Sequence, residues 1–276
     1  MDPFLETLKT RIDDRAALER KLQMLLAAQW TQQARTPGAP RLTLPDVEFR
    51  TFSQNGEDGA LLYIFSLIGT TNRQVVEICA GNGVECNAAN LLITHGWKGL
   101  LVDGDERNVT FAREMYRLFQ DTFIRPPAVA CSWVTAENVN DLIASHGFSG
   151  EIDLLSLDID GIDYWLWKAI TVVQPRVVVL EYNALWKAEH AVTVPYDPKF
   201  ALDFSRTPYY SGASLGAFAK LGRTLGYRFV GAPRSQINAF FVRNDLGLDV
   251  LPEVDLRTGL THAIDFDWGD RLWVHV

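Results

Sequence analysis

Val75-Val76-Glu77-Ile78-Cys79-Ala80-Gly81-Asn82-Gly83 is the stretch on which the reading of the fold turns. It has the form of a buried β-strand that ends in an acid and runs into a glycine turn. Asn87 to Leu92 with Ile93 then reads as the start of a helix. A strand, glycine turn and helix in that order bring backbone close to a ligand and point helix N–H groups at it. Asp103 stands twenty residues beyond Gly83, at the end of a second apolar run, Gly99-Leu100-Leu101-Val102. An acid at that distance is where a Rossmann-type fold holds ribose hydroxyls, so the expected ligand contains adenosine.

Working outward, apolar runs predict strands at 75–79, 99–103, 128–132, 152–158, 176–181, 227–231 and 237–243. Helical patterns fit between them at 87–95, 107–119, 136–146, 163–172 and 212–225, with one more at 60–68 ahead of the first strand. Such alternation implies an α/β fold with parallel strands and helices on both faces. Only a short turn containing Pro233 separates the last two strands, which therefore read as a hairpin with an antiparallel final strand. Five parallel strands and a hairpin give the seven-stranded, mostly parallel sheet of the class I methyltransferase, Rossmann-like fold.

Residues 2 to about 34 read as one helix, capped by Asp2, with Pro3 in its first turn. Its stripe of Leu5, Leu8, Ile12, Leu18, Leu22, Leu25 and Leu26 needs a cover: its own domain, a second subunit, or the ligand. Ala34 to Pro45 holds Pro37, Gly38, Pro40 and Pro45 and reads as a linker. The expected organisation is a helix and linker over 1–46, a catalytic domain over 47–246 and an extension over 247–276.

A chain of 276 residues with 47% hydrophobic residues suits one large domain. A net charge of −8 disfavours a nucleic-acid binder that works by neutralising phosphates. Cys79, Cys86 and Cys131 form no C-x-x-C, so neither a zinc site nor a disulfide framework is expected. No run reaches the length of a membrane span, and Met1-Asp2-Pro3 does not open like a leader, so a cytoplasmic protein is expected.

Three strand ends carry the chemistry. In the glycine turn, Cys86 takes the place of the third glycine of a dinucleotide fingerprint, and Glu85 sits badly beside a pyrophosphate. Glu77 suits a cationic amine and repels phosphate. These residues favour S-adenosylmethionine over NAD. The second strand end is Asp158-Ile159-Asp160, followed by Asp163, and the third is Glu181-Tyr182-Asn183. Adjacent parallel strands would set Asp158 and Glu181 side by side, with Asp160 and Asn183 near. Such oxygen ligands suit Mg²⁺, which would lower the pKa of a substrate hydroxyl. The metal-free alternative uses a carboxylate or His190 as general base. Trp133, after the third strand, is the expected stacking partner of adenine, while Trp165 and Trp167 read as core. His95 reads as structural, and His146, His262 and His275 as peripheral.

These pieces taken in order resemble the FkbM-like S-adenosylmethionine-dependent methyltransferases over about residues 50 to 245. The resemblance rests on Ser53-Gln54-Asn55-Gly56-Glu57-Asp58-Gly59, Glu77 to Gly83, Gly96 to Asp105, Asp153 to Asp163, Val177 to Asn183, Thr193-Val194-Pro195-Tyr196 and Asn238 to Val242. It implies methyl transfer, commonly to a hydroxyl of a sugar or secondary metabolite, with Glu77, Gly81, Gly83 and Asp103 lining the cofactor site. Gly104 replaces a proline frequent after Asp103, and Asp160 replaces a frequent glutamate. The candidate cofactor residues are thus Gln54, Asn55, Glu77, Gly81, Gly83, Asp103, Ser132, Trp133 and Asp158. Asp160 and His190 are the candidate catalytic groups, and Asp158, Glu181 and Asn183 the candidate metal ligands. A metal-dependent glycosyltransferase built on the D-x-D of Asp158 and Asp160, and a non-catalytic scaffold of the same fold, are the alternatives.

Overall fold

Near-continuous apolar runs make strands that must be covered on both faces, and they organise the chain into one large sheet. The computed structural model describes residues 3–203, 205, 207, 209–261, 263 and 271–276. The large sheet contains β1 (Gln74–Ile78), β2 (Lys98–Asp103), β3 (Ala128–Cys131), β4 (Gly150–Leu157), β5 (Val173–Glu181), β7 (Tyr227–Gly231) and β8 (Asn238–Arg243). Its order is β3-β2-β1-β4-β5-β8-β7, and β8 alone runs antiparallel to its neighbours. This is the class I methyltransferase fold, with the expected terminal hairpin. The order reverses between β1 and β4, which places the ligand crevice at the carboxyl ends of those two strands.

Side chains alternate between two apolar layers, as the pleat requires. Val76, Ile78, Leu155, Leu157, Val178 and Leu180 face one layer, while Val75, Leu154, Val177, Val179 and Phe240 face the other. The first layer is covered by α7 (Val139–Ser145), α8 (Asp163–Ala169) and α9 (Leu215–Leu225). The second is covered by α3 (Glu57–Ile68), α4 (Ala89–Ile93) and α5 (Glu106–Met115).

Most helices after the first strand are shorter than the sequence pattern predicts, whereas α3 starts three residues earlier than expected. α4 begins two residues late because the Asn87 and Ala88 N–H groups donate to the Glu77 carboxylate. The expected helix over 107–119 stops at Met115, and a separate turn, α6 (Gln120–Phe123), follows. Ser214 caps α9 through the Ala217 N–H, and Gly226, at φ +87°, ends it in the left-handed conformation.

α1 (Pro3–Arg35) matches the predicted span, but its buried side is not the leucine stripe. Leu18, Leu22 and Leu25 are exposed, and Gln23 and Trp30 are buried instead. Gln23 bonds the Asn90 side chain and His95, and Trp30 meets Tyr63 of α3 edge-on at 5.6 Å. The packed face therefore mixes buried Gln23 with Trp30, Leu26 and Ala27, and of the described leucines in the stripe Leu26 is the one that packs on the core. Asp2, expected as the cap of this helix, and His262 lie outside the described residues, as do the side chains of Leu5, Leu8 and Ile12.

Several short elements had no signal in the sequence, among them α2 (Leu44–Val47), which starts inside the expected linker. β6 (Val192–Thr193) and β9 (Val274–His275) pair antiparallel, which returns the end of the chain to the loop after β5. Two-residue strands have too few positions to show a period. Among the described residues, no helix is long and apolar enough to cross a membrane.

Candidate active site

The crevice at the β1/β4 switch is bounded by the glycine turn, the loop that precedes α3 and the start of β8. Gln54, Asn55, Glu57, Glu77, Gly81, Glu85, Asp158 and Asn238 line it. Of the residues picked from the sequence, the crevice brings together Gln54, Asn55, Glu77, Gly81 and Asp158. Glu57 and Asn238 were not singled out. In the sequence Glu57 lies in the polar turn ahead of the helix expected over 60–68 and Asn238 within the strand expected over 237–243, so neither carries a pattern that marks it.

The loop before α3 is built by Ser53 and Asp58. Asp58 Oδ2 accepts the N–H groups of Thr51, Phe52 and Ser53, and Ser53 Oγ accepts the Asp58 N–H. Burial pushes the Asp58 carboxyl up to about 6 against the pull of those N–H groups. These two residues shape the loop, and Gln54 and Asn55 are what it presents to the crevice.

At the glycine turn, Cys79 takes φ +66° and Gly81 φ +54°. A Cβ on Gly81 would meet nothing within 4 Å, so this backbone faces open space in the crevice. A Cβ on Gly83 would lie 3.0 Å from the Ala112 Cβ, so Gly83 supplies the close helix packing that a fingerprint's third glycine would give.

Glu77 is 2% exposed, and its carboxylate accepts Asn87 N–H, Ala88 N–H and the Ser156 hydroxyl at 2.9, 2.7 and 3.1 Å. Its first task is to hold the turn after β1 in place. Asp103 is similarly engaged. It accepts Gly81 N–H and Asp105 N–H at 2.9 Å and the Asn108 side chain at 3.0 Å. It ties the end of β2 to the glycine turn. Ser132 and Trp133 follow β3 outside the crevice lining, and Trp133 is 54% exposed beside Gly104, with its indole N–H on the Pro198 carbonyl.

Strand register explains the acidic cluster. Leu157 pairs with Leu180, so Asp158 follows at the level of Glu181, and Glu181 pairs with Asn238. Asp160 joins them from the next loop at φ +56°, with ligand oxygens of Asp158, Asp160 and Glu181 within 4.8 Å of one another. The loop is held by Asp163, which accepts Ile159 N–H and Gly161 N–H and is pushed by burial up to about 7. Burial and mutual repulsion raise Asp158 and Glu181, and burial raises Asp160. A site of this kind retains protons or takes up a cation.

Asn183 stands apart from the cluster. Its side-chain N–H groups donate to the Tyr209 and Ser211 carbonyls, and its oxygen accepts Leu185 N–H, so it organises the following loop. His190 does not line the crevice; its ring lies edge-on to Trp186 at 5.1 Å, and its carbonyl accepts the Ser214 hydroxyl. Asp153 sits at the other end of β4, paired with Arg176 at 3.1 Å and accepting the N–H groups of Thr71, Asn72 and Arg73. His95 bonds Gln23, and burial lowers it to about 4, which fits the structural role expected of it. Trp167 is buried in the core, as expected, and Trp165 is partly buried against it.

Among the described residues, the crevice lining contains four carboxylates, Glu57, Glu77, Glu85 and Asp158, and no lysine or arginine. Among the described residues, Glu85 is the one of these four that meets a cation, Arg50 at 3.2 Å. This set of negatively charged acceptors would suit the ammonium and sulfonium of S-adenosylmethionine and disfavours a bare phosphate. Buried Asn238 Oδ1, which has no hydrogen-bond partner, adds an acceptor to the same crevice.

Comparison with solved structures returns methyltransferases of low similarity. The N-terminal domain of EvdMO1, solved with SAH bound, is 14% identical with a TM-score of 0.45, over 81% of this chain and 94% of that one. An O-methyltransferase from Bacillus cereus in complex with SAH is 13% identical with a TM-score of 0.43, over 80% and 90%. An S-adenosylmethionine-dependent methyltransferase from Clostridium acetobutylicum is 11% identical with a TM-score of 0.37, over 63% and 85%. At these values the likeness supports no inference about activity, and the strand order carries the fold. No protein-family model and no curated protein matches the chain.

Proposed function

We propose that the chain is an S-adenosylmethionine-dependent methyltransferase that acts on a hydroxyl of a sugar or secondary metabolite, in the manner of the FkbM-like enzymes it resembles in sequence. The observation that carries this reading is the crevice itself: a methyltransferase strand order whose switch-point site is lined by carboxylates and, among the described residues, by no basic side chain. A dinucleotide or a nucleoside diphosphate would bring phosphates into that negative surface.

When bound, S-adenosylmethionine supplies a methyl group on a sulfonium, ready for in-line displacement. The chain's own work is to position an acceptor and remove its proton. Glu77 and Asp103 hold the glycine turn, and Gln54, Asn55, Gly81 and Asp158 face the bound molecule. Asp160 is the proton acceptor. Its partial burial and raised pKa make it a better base than an exposed aspartate. His190 remains the second candidate only for an acceptor that reaches beyond the crevice. Asp158, Asp160 and Glu181 would hold Mg²⁺ where the reaction uses one, and an acceptor hydroxyl on that ion would lose its proton more readily.

The test is transfer of a labelled methyl group to a panel of hydroxylated acceptors. Asp160→Ala is expected to abolish turnover and leave S-adenosylhomocysteine affinity unchanged. Equal loss of both would assign Asp160 to binding or folding. The convergence of Asp158 and Asp160 also favours a second reading, a metal-dependent glycosyltransferase. Binding of UDP or GDP only with Mn²⁺, and no binding of S-adenosylhomocysteine, would select it.

A further inference from the structure

Asn238 lies at the start of β8, 3% exposed, and lines the crevice. Its side-chain N–H donates to Glu57 Oε1 at 3.0 Å. A carboxylate only accepts, so this bond fixes which way the amide faces: nitrogen toward Glu57, oxygen away from it. That oxygen, Asn238 Oδ1, is buried and has no hydrogen-bond partner. Buried acceptors without partners are uncommon in folded proteins and call for a donor from elsewhere. Glu57 is itself held in place. It is 1% exposed, and Oε2 accepts the Asn55 N–H at 2.8 Å.

The other acid at this end of the crevice does not offer such a position. Glu77 was the carboxylate expected to meet a ligand amine, but two backbone N–H groups and a serine hydroxyl take three of its roughly four acceptor positions. The Glu57–Asn238 pair provides both things an ammonium requires, a fixed neutral acceptor and a negative charge beside it. Both residues come from elements outside the glycine turn, which brings the loop before α3 and the β8 hairpin into the binding site.

On the methyltransferase reading above, we propose that Asn238, oriented by Glu57, receives the α-ammonium of the cofactor's amino-acid end. Glu57 acts as a positioning residue and counter-charge, and Asn238 as a direct ligand contact.

The test is calorimetric titration with S-adenosylhomocysteine and with its deaminated analogue, the same thioether carboxylate lacking the amino group. On the unaltered chain the analogue is expected to bind at least about tenfold more weakly, the loss of one charge-assisted hydrogen bond. In Asn238→Leu, S-adenosylhomocysteine should fall to the affinity of the analogue, and the analogue should bind as it does to the unaltered chain. Equal affinity of the unaltered chain for both ligands would overturn this assignment alone. Equal loss of both ligands in Asn238→Leu would make Asn238 structural and overturn it too. Failure of the unaltered chain to bind either ligand would overturn both this assignment and the methyltransferase reading. The analogue comparison uses the unaltered chain and does not depend on the variant folding.

Discussion

Asp160→Asn should make the ligand-free protein more stable at pH 8. Three carboxylates present oxygens within 4.8 Å of one another, and none has a lysine or arginine among the causes that set its pKa. Two unit charges at that separation repel by about 3.5 kcal/mol at an effective dielectric constant near 20. Asp160 takes part in two of the three pairs. It is partly exposed, so solvent screens its share, and retained protons remove much of the rest; the net gain is about 1–2 kcal/mol. For a chain of this size that raises Tm by roughly 2–8 °C. Asparagine is at ease at φ +56°, so the exchange adds no backbone strain. The pH dependence has a definite sign. Burial raises Asp160 in the folded state above its unfolded value, so its favourable contribution is present at low pH and lost as pH rises. The variant should therefore lose less stability than the parent between pH 5 and pH 8. Thermal unfolding of both proteins at the two pH values, with EDTA present, measures this. A variant no more stable at pH 8, or one equally stabilised at pH 5, would show that the cluster is not electrostatically strained.

Glu77→Gln leaves one oxygen where two separate carboxylate oxygens accept Asn87 N–H and Ala88 N–H, so it should cost about 2 kcal/mol and lower Tm, the reverse of Asp160→Asn. Asp153→Ala strips the buried partner of Arg176 and the acceptor for three N–H groups; chemical denaturation should show a loss of about 3–5 kcal/mol with no direct effect on ligand contacts. Trp133 lies outside the crevice lining, so Trp133→Ala should leave S-adenosylhomocysteine affinity unchanged, and a loss of about tenfold, near the worth of one aromatic stack, would return the ring to the site.

Strand positions were legible because buried strands leave apolar runs, and the acid at each carboxyl end marked the site edge. Helix limits were not, since the start of α4 depends on a carboxylate ten residues earlier in the chain. Glu77 and Asp103 were found for the right location, but their bonds to turn backbone could not be read from residue type. Asn238 was missed because its significance comes from register opposite Glu181 and from Glu57, 181 residues away. Most of the described leucines of α1 drew attention to the outward side of that helix, because its packed side combines Gln23, which periodicity ignores, with Trp30, Leu26 and Ala27.

Calorimetric titration of the purified protein with S-adenosylhomocysteine, NAD and UDP, each with and without Mg²⁺, tests the central claim most directly. Micromolar binding of S-adenosylhomocysteine with no uptake of NAD or UDP is the predicted result. No binding of S-adenosylhomocysteine, with UDP bound only in the presence of metal, would contradict it.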